Sequence, residues 1–497
     1  MKIFTKEQIK AADEYTVVNK PVASIDLMEW ASETIAAWIE ENIDKRKQLL
    51  FVVGKGNNGG DGLAVARIMN RKGFNCLVYM VYDVESLSEE CAINFKRITN
   101  IPEISFIDTI AGISSDIVII DAILGAGISG NIKKPVSEII LHINELNNQV
   151  ISIDLPSGMQ TEFNSPEQLI VKADITLTLE FPKLAMLLPE TGEFAGKIVV
   201  LPIGLDKRYV EQTDTVYNYI DGELIDGLKK RRLKFGYKNT YGHALLVCGS
   251  RYIENNAQYS MTGAAILAAN AALRSGCGLV TVHVPCEERV ALQTNCPSAI
   301  LSLDRQHVFS DLPSNITKYN AIGIGCGTGT HCETEKAFAA LLQSVKIPLV
   351  IDADAINILS QNRKLLKYVP HNSILTPHLG ELKRLTGEWL NEKDKSKKTT
   401  EFASEYQLIV VVKGAHSSIY LPDGNIWFNS TGNPGMAKGG SGDVLTGLIT
   451  GLLARGYNSF EAAVLGVYFH GLAGDKAKEK YGEESMNSLD LIEFIRL

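Results

Sequence analysis

Two glycine-rich stretches carry the residues best suited to chemistry. The first, GKGNNGGDG at 54–62, stands between the apolar run QLLFVV and LAVARIMNRKG, whose apolar spacing predicts a helix. Glycine and asparagine tolerate left-handed backbone, so a surface turn is one interpretation. A turn needs only one or two such residues, and nine consecutive residues of little bulk favour a loop where the main chain approaches a phosphate or an ion.

The second stretch, TGNPGMAKGGSGD at 431–443, runs into the apolar segment VLTGLITGLLARG, which predicts a helix. Free amides at a helix start bind anions, and Asp443 in the first turn is placed to take a proton from a hydroxyl that accepts a phosphoryl group. Asp443 could instead only compensate the helix charge. The small residues before it favour catalysis, and the chain has no GxxxxGK[ST] motif of a P-loop enzyme.

Two further motifs, DAILGAGISGN at 121–131 and DLPSG at 154–158, follow apolar runs that predict strands. A single aspartate at such a position is explained as a turn or helix cap. Three polar loops at strand ends of one parallel sheet favour a joint ligand site, and their oxygens suit a hard cation. The oxygen-bearing side chains belong to Asn58, Asp61, Asp121, Asp154 and Ser157.

The segments around these motifs alternate between strand-like and helix-like patterns. Continuous apolar strands between helices are typical of a parallel sheet covered on both faces. The polar segment 207–240 predicts a linker, and a second alternating series follows it, with a hairpin in SSIYLPDGNIWF. The sequence therefore predicts an α/β protein of two domains, 1–215 and 225–497.

Composition narrows the class of protein. The chain of 497 residues, with 45% hydrophobic and 21% charged residues, suits a globular protein of more than one domain. Its net charge of −8 argues against nucleic acid as a partner. No apolar run reaches the roughly 18 residues of a membrane helix, and the start lacks an apolar signal segment, so we expect a cytoplasmic protein. The eight cysteines include no CxxC pair, which argues against a zinc site.

The motifs at 54–62, 121–131 and 154–158 together resemble those of the NAD(P)HX epimerases, over about residues 1–215. NAD(P)HX is hydrated NADH or NADPH, and the resemblance implies a Rossmann-like three-layer fold that interconverts its R and S epimers. It implies that Asp154 faces the reacting ring, as general base and then acid. It implies K⁺ held by Asn58, Asp121 and Ser157. It implies substrate binding by Asn57, Asn58, Gly59, Gly60, Asp61, Gly125, Ala126, Gly127, Ile128, Ser129, Gly130, Asn131 and Asp154.

The motifs AIGIGCGTG, DADAIN, TPHLGE, VVKG and TGNPGMAKGGSGD resemble those of the ribokinase-like NAD(P)HX dehydratases, over about 225–497. The resemblance implies that ADP or ATP, with Mg²⁺, phosphorylates the hydroxyl of S-NAD(P)HX and that loss of phosphate restores NAD(P)H. It implies Asp443 as the catalytic residue. It implies nucleotide contacts from Lys413, Gly414, Ala415, His416, Ser417, Asn433, Gly439, Gly440 and Gly442, and substrate contacts from Ala264, Gly327, His378 and Asp443.

The chain departs from the dehydratase pattern at three positions. Lys438 and Ser441 stand where threonine is common, and Cys326 stands where proline is common. Lys438 is expected to add a cation near the phosphates, and Ser441 keeps a hydroxyl.

The two resemblances predict a bifunctional repair enzyme, in which one domain supplies the epimer that the other consumes. The alternative is a vitamin-type small-molecule kinase with an N-terminal nucleotide-binding module. The expected partners are NADHX, NADPHX and ADP, without nucleic acid or membrane, and the family implies a homo-oligomer.

Overall fold

The computed structural model describes residues 1–497 apart from 21, 129, 166, 255 and 256. The chain divides into two units, one of Lys2–Tyr217 and one of Asn218–Leu497 with Met1. The division falls inside 207–240, the segment predicted to be the linker, but two helices and a strand lie within that segment. None of the helices in the described part of the chain is long and apolar enough to cross a membrane.

A parallel sheet of seven strands organises the first unit, in the order β3-β2-β1-β4-β5-β6-β7. Its strands are β1 Leu49–Val53, β2 Cys76–Met80, β3 Ser105–Phe106, β4 Val118–Ala122, β5 Val150–Ile153, β6 Ile175–Leu179 and β7 Lys197–Leu201. Its helices are α1 Lys6–Asn19, α2 Ser24–Asn42, α3 Asn57–Arg71, α4 Glu89–Ile98, α5 Val136–Glu145 and α6 Lys207–Gln212.

Strand β1 is buried on both faces because helices cover each side of the sheet. Leu49 and Phe51 pack with residues of α2, α3 and α4, whereas Leu50 and Val52 pack with residues of α5. The strand order reverses between β1 and β4, and ligands of open α/β sheets bind beyond the strand ends at such a point.

The stretch 54–62 is not the loop that the sequence suggested. Helix α3 begins at Asn57, so only 54–56 connect it to β1. A Cβ at Gly59 would lie 2.1 Å from the carbonyl oxygen of Gly54, and one at Gly62 would lie 2.5 Å from the Cβ of Ala122. These glycines therefore let α3 pack directly against the central strands.

The second unit is built on a mixed sheet of ten strands, in the order β13-β12-β9-β14-β15-β16-β17-β18-β19-β8. Its strands are β8 Tyr217–Ile220, β9 His243–Val247, β12 Leu279–Pro285, β13 Ile300–Asp304, β14 Ala321–Ile324, β15 Leu349–Ile351, β16 Ile374–Leu375, β17 Ile409–Val412, β18 Ser418–Tyr420 and β19 Ile426–Asn429. A separate antiparallel pair consists of β10 Arg251–Glu254 and β11 Ala257–Ser260.

Strands β9 and β12 to β17 pair in parallel, and the predicted hairpin is present as antiparallel β18 and β19. The helices of this unit are α7 Gly222–Leu228, α8 Thr262–Arg274, α9 Arg289–Asn295, α10 Cys332–Ser344, α11 Ala353–Gln361, α12 Leu379–Thr386, α13 Glu392–Tyr406, α14 Ser441–Ala454, α15 Ser459–Tyr481 and α16 Ser488–Phe494. The predicted α/β fold class, with two sheets, is confirmed.

Helices α8 and α14 pack backbone to backbone. A Cβ at Gly447 would lie 2.0 Å from the carbonyl oxygen of Ala268, and one at Gly451 would lie 2.8 Å from that of Ala272. Both helices advance in the same direction across these contacts, so their first turns lie side by side. The packing therefore brings the start of α8 next to Asp443.

Candidate active sites

In the first unit, Asp121 at the end of β4 ties neighbouring segments together from a fully buried position. Its Oδ2 accepts hydrogen bonds from the Ser152 hydroxyl and the Ser157 amide, each at 2.8 Å. The Ser157 hydroxyl in turn accepts one from the Leu124 amide at 2.8 Å. Burial raises the pKa of Asp121, and the hydrogen bonds from Ser157 oppose that rise.

Asn58 adds an unused oxygen to this group. Its amide nitrogen donates to the Leu124 carbonyl at 3.0 Å, whereas its Oδ1 is buried and has no hydrogen-bond partner in the described part of the chain. A buried acceptor without a partner costs free energy unless a ligand or water satisfies it. Asn58, Asp121 and Ser157, which the sequence grouped as cation ligands, are therefore linked through Leu124.

Asp154 follows β5 with a left-handed backbone, at a φ of 64°. Its Oδ1 accepts hydrogen bonds from the Leu179 amide at 3.2 Å and from the ammonium of Lys183. Lys183 is almost fully buried and also donates to the Thr178 hydroxyl at 2.8 Å. Sequence reasoning missed Lys183, although a lysine inside the apolar run LEFPKLAMLL was a signal for it.

Two more carboxyl groups interact electrostatically with Asp154. Burial raises the pKa of Asp13 to about 7, with a smaller rise from the charge of Asp154 and an opposing effect of Lys183. Burial and the same charge raise the pKa of Asp61 well above its ordinary value. Two carboxyl groups with raised pKa values thus accompany the Asp154–Lys183 pair, an arrangement that can both accept and donate a proton near neutral pH.

The predicted substrate-binding residues of this unit lie at two places. Asn57 is the exposed first residue of α3, and its side-chain oxygen accepts a hydrogen bond from the Ser88 hydroxyl at 3.3 Å. The described residues of 125–131, all but 129, lie in no helix or strand, and the carbonyl of Gly127 accepts a hydrogen bond from Lys6 at 2.8 Å. The predicted contact at Ser129 lies outside the described residues.

In the second unit, Asp443 lies in the first turn of α14 beside an ion pair of Lys413 and Asp352. The ammonium of Lys413 is 2.8 Å from Asp352 Oδ1, and the Thr446 hydroxyl donates to Asp352 Oδ2 at 2.7 Å. A Cβ at Gly442 would lie 3.3 Å from the Lys413 nitrogen, so that position borders the ammonium directly. Helix amides without intrahelical partners and a lysine therefore converge at one place.

The pKa of Asp443 is raised to about 6, chiefly by burial. A hydrogen bond from the Cys326 thiol opposes the rise, and the charge of Asp352 adds to it. Cys326 is fully buried and is held beside the aspartate. Asp443 is therefore poised to change protonation state near neutral pH, as a proton-accepting group requires.

The glycine-rich stretch before α14 is held by residues from the end of the chain. The Gly432 amide and the Asn433 side chain donate to the two oxygens of Asp475 on α15, each at 3.0 Å. The Ser488 hydroxyl donates to the Gly439 carbonyl at 2.7 Å. Asp475 was not singled out from the sequence.

Lys438 does not reach toward an anion site as the sequence suggested. Its ammonium donates to the carbonyls of Glu484 and Met486, each at 2.6 Å. In the loop after β17, the His416 ring nitrogen Nδ1 is 3.0 Å from the Asn429 carbonyl, and burial lowers the pKa of His416. Lys438 and His416 are thus engaged in contacts that order the loops themselves.

Among the predicted substrate contacts, Ala264 and Gly327 lie together. A Cβ at Gly327, which has a φ of 64°, would be 3.3 Å from the Cβ of Ala264. His378 caps α12, since its Nδ1 accepts a hydrogen bond from the Gly380 amide at 2.9 Å and its Nε2 lies 3.4 Å from Glu381 Oε1. Substrate binding by His378 stays a prediction.

Comparison with known proteins identifies both parts of the chain. A family model described as NAD(P)H-hydrate dehydratase matches residues 245–497, and one described as YjeF-related protein N-terminus matches 24–185. A protein of Moorella thermoacetica named bifunctional NAD(P)H-hydrate repair enzyme Nnr is 32% identical, over 100% of this chain and 96% of its own. Its namesake in Coxiella burnetii is 30% identical, over 100% and 99%.

Among solved structures, the match to the ADP/ATP-dependent NAD(P)H-hydrate dehydratase of Bacillus subtilis, co-crystallised with ATP and Mg²⁺, has 29% identity and a TM-score of 0.47. It covers 56% of this chain and 96% of that one.

We predict that Asp475 orders the glycine-rich stretch. Asp475→Ala removes the acceptors of the Gly432 amide and the Asn433 side chain, and amide hydrogen exchange over 431–436 should accelerate by on the order of tenfold. Exchange is read by mass spectrometry on the full chain. Glu479→Ala, an exposed position on the same helix, is the matched control. Equal exchange in the Asp475→Ala and wild-type chains would contradict the assignment.

Proposed function

This chain belongs to the family of bifunctional NAD(P)H-hydrate repair enzymes, and we propose which of its residues carry the two reactions. It is an enzyme that epimerises NAD(P)HX and dehydrates the S epimer to NAD(P)H. Relatives that match along its whole length are repair enzymes, which disfavours the alternative of a vitamin-type kinase. The observation that supports the assignment of roles is that a partly buried aspartate lies close to one lysine in each unit.

Epimerisation is assigned to Asp154 with Lys183. Inverting the hydrated carbon requires a proton to leave its hydroxyl and return, through loss of water or opening of the ring. Asp154 accepts that proton, and the buried ammonium of Lys183 donates a hydrogen bond to the carboxylate and fixes its orientation. Asp13 and Asp61, whose raised pKa values favour the protonated form, supply the returning proton or stabilise the oxygen that loses it.

A potassium ion fits the oxygens of Asn58, Asp121 and Ser157. The buried Asn58 Oδ1 without a partner supports this choice, and a single carboxylate matches a monovalent charge. Among the described residues, no group of three or more His, Cys, Asp and Glu side chains could hold a metal ion. When bound, the cation supplies positive charge beside loops that are to hold the substrate phosphates.

Dehydration is assigned to Asp443 and the amides at the start of α14. ADP or ATP, with Mg²⁺, supplies the phosphoryl group that turns a poor leaving group into a good one. Asp443 accepts the proton of the substrate hydroxyl, while the Gly442 amide and the Lys413 ammonium stabilise the charge on the phosphoryl group. Asp352 holds Lys413 in place. The choice between ADP and ATP, the homo-oligomer and the cytoplasmic location stay predictions.

The two assignments separate in one assay on mixed R,S-NADHX. The wild-type chain with nucleotide, Mg²⁺ and K⁺ should recover all of the substrate as NADH, faster than spontaneous epimerisation allows. Asp154→Asn should recover promptly only the S portion, and Asp443→Asn should recover none while still interconverting the epimers. Absorbance of the reduced nicotinamide ring and chromatography of the epimers are the measurements. Full recovery by Asp154→Asn at the wild-type rate would contradict the role of Asp154 in epimerisation.

The pH dependence of dehydration should follow Asp443. Because its pKa is raised to about 6, the proton-accepting carboxylate is lost as the pH falls through that value. The kcat/KM for S-NADHX should therefore rise about tenfold per pH unit below about 6 and level off above it. Cys326→Ala removes a thiol hydrogen bond that lowers this pKa, so the rise should move to higher pH, whereas Cys326→Ser should not move it. A flat profile between pH 5 and pH 7 would contradict the role of Asp443.

The rate of epimerisation should depend on K⁺ through Asn58. Asn58→Ala removes one oxygen ligand, so the K⁺ concentration for the half-maximal rate should rise by about tenfold or more. K⁺ should also raise the unfolding temperature of the wild-type chain more than that of the variant. The K⁺ dependence of S-NADHX dehydration, measured on both chains, is the internal control. An identical K⁺ response of the two chains in epimerisation would remove Asn58 from the cation site.

A further inference from the structure

The hairpin of β10 and β11 stands apart from the ten-stranded sheet and carries two tyrosines. Tyr252 and Tyr259 face each other across the two strands, with ring centroids 5.2 Å apart and ring planes inclined by 18°. Tyr259 is 45% exposed. One face of the Tyr259 ring therefore stacks on Tyr252, and the exposed part of the Tyr259 ring faces solvent.

The base of this hairpin is rigidly held. The Met261 amide donates to the Ser250 carbonyl at 2.9 Å, which closes the base. Glu288, only 3% exposed, accepts hydrogen bonds from Arg251 Nε at 2.5 Å and from the Ser260 hydroxyl at 3.1 Å. The buried carboxylate of Glu288 thus connects both strands to the rest of the unit, and these contacts hold the strands that carry the two tyrosines.

The same base borders the dehydration site. A Cβ at Gly327 would lie 2.7 Å from the Cβ of Met261 and 3.3 Å from that of Ala264. Ala264 is in the first turns of α8, which lie beside the first turn of α14 and Asp443. The base of the hairpin is therefore next to Ala264 and Gly327, two residues predicted to contact S-NAD(P)HX.

We propose that Tyr259, backed by Tyr252, stacks on the adenine ring of S-NAD(P)HX. The proposal rests on the proposed dehydration of this substrate. The hydrated nicotinamide ring must lie at Asp443 and is not aromatic, which leaves adenine as the aromatic ring system of the dinucleotide. An exposed aromatic side chain stacks on a base without requiring a particular pattern of hydrogen bonds. Tyr259 lies two residues from Met261 along the chain, a separation of roughly 7 Å in extended backbone that sets the ring away from the residues at the base of the hairpin.

The test compares a dinucleotide with a mononucleotide on the full-length enzyme. We expect Tyr259→Ala to raise the KM for S-NADHX and the inhibition constant of NADH in the dehydration reaction by about tenfold. The inhibition constant of NMNH, which lacks the adenosine half, and the KM for the phosphoryl donor should not change. Tyr259→Phe should restore the wild-type values because it keeps the ring. Tyr368→Ala, at another exposed tyrosine of this unit, is the matched control.

Three results would overturn the proposal. An equal weakening of NADH and NMNH would mean that the tyrosine only supports the fold of the hairpin. A raised KM for the phosphoryl donor alone would mean that the pair contacts the other nucleotide, and unchanged constants would mean that it contacts neither. Failure of the wild-type chain to dehydrate S-NADHX would instead refute the proposed function, so the two failures are distinguishable.

Discussion

The close approach of helix backbones is the constraint on which both sites depend. In the second unit, Gly447 and Gly451 let α14 lie against α8, and this contact sets the start of one helix beside the start of the other. In the first unit, Gly59 and Gly62 let α3 lie against the central strands. A side chain at any of these glycines would clash with the neighbouring element and push the two apart. A packed interior cannot accommodate that extra volume without a loss of stability. In each site, close backbone contacts therefore set the positions of the elements that carry the polar side chains.

Both sites also pair a lysine with one aspartate among several, a fully buried lysine in the first unit and a partly buried one in the second. Lys183 contacts Asp154, and Lys413 contacts Asp352. Desolvating such charges is expensive, and a buried pair is a poor source of stability. The pairing instead makes the carboxyl groups unequal: the partnered aspartate accepts a hydrogen bond from an ammonium, whereas burial raises the pKa of its neighbours. That inequality allows groups of one chemical type to serve as acid and as base in one pocket.

Local patterns in the sequence predicted the alternating strands and helices, the hairpin at 418–429 and the motifs at the strand ends. They misjudged 54–62, because a stretch rich in glycine and asparagine has low helix propensity and only tertiary packing makes it helical. Lys183 and Asp475 were missed since each acts on a motif 29 or more residues away, and no local spacing reveals such a contact. The prediction for Lys438 was wrong because a lysine in a glycine-rich stretch suggests a contact with a bound anion, whereas the ammonium of Lys438 donates to backbone carbonyl groups.

The contacts of Lys438 and Ser488 bear on the order in which the chain becomes active during synthesis. The glycine-rich stretch before α14 is held by carbonyls at 484 and 486 and by a hydroxyl at 488, which follow the residues they contact by 46 to 49 positions. Domains fold as their residues leave the ribosome, N-terminal part first. The first unit can therefore mature while translation continues, whereas the phosphoryl-transfer loop acquires these supports only once residues 484–488 have also left the ribosome.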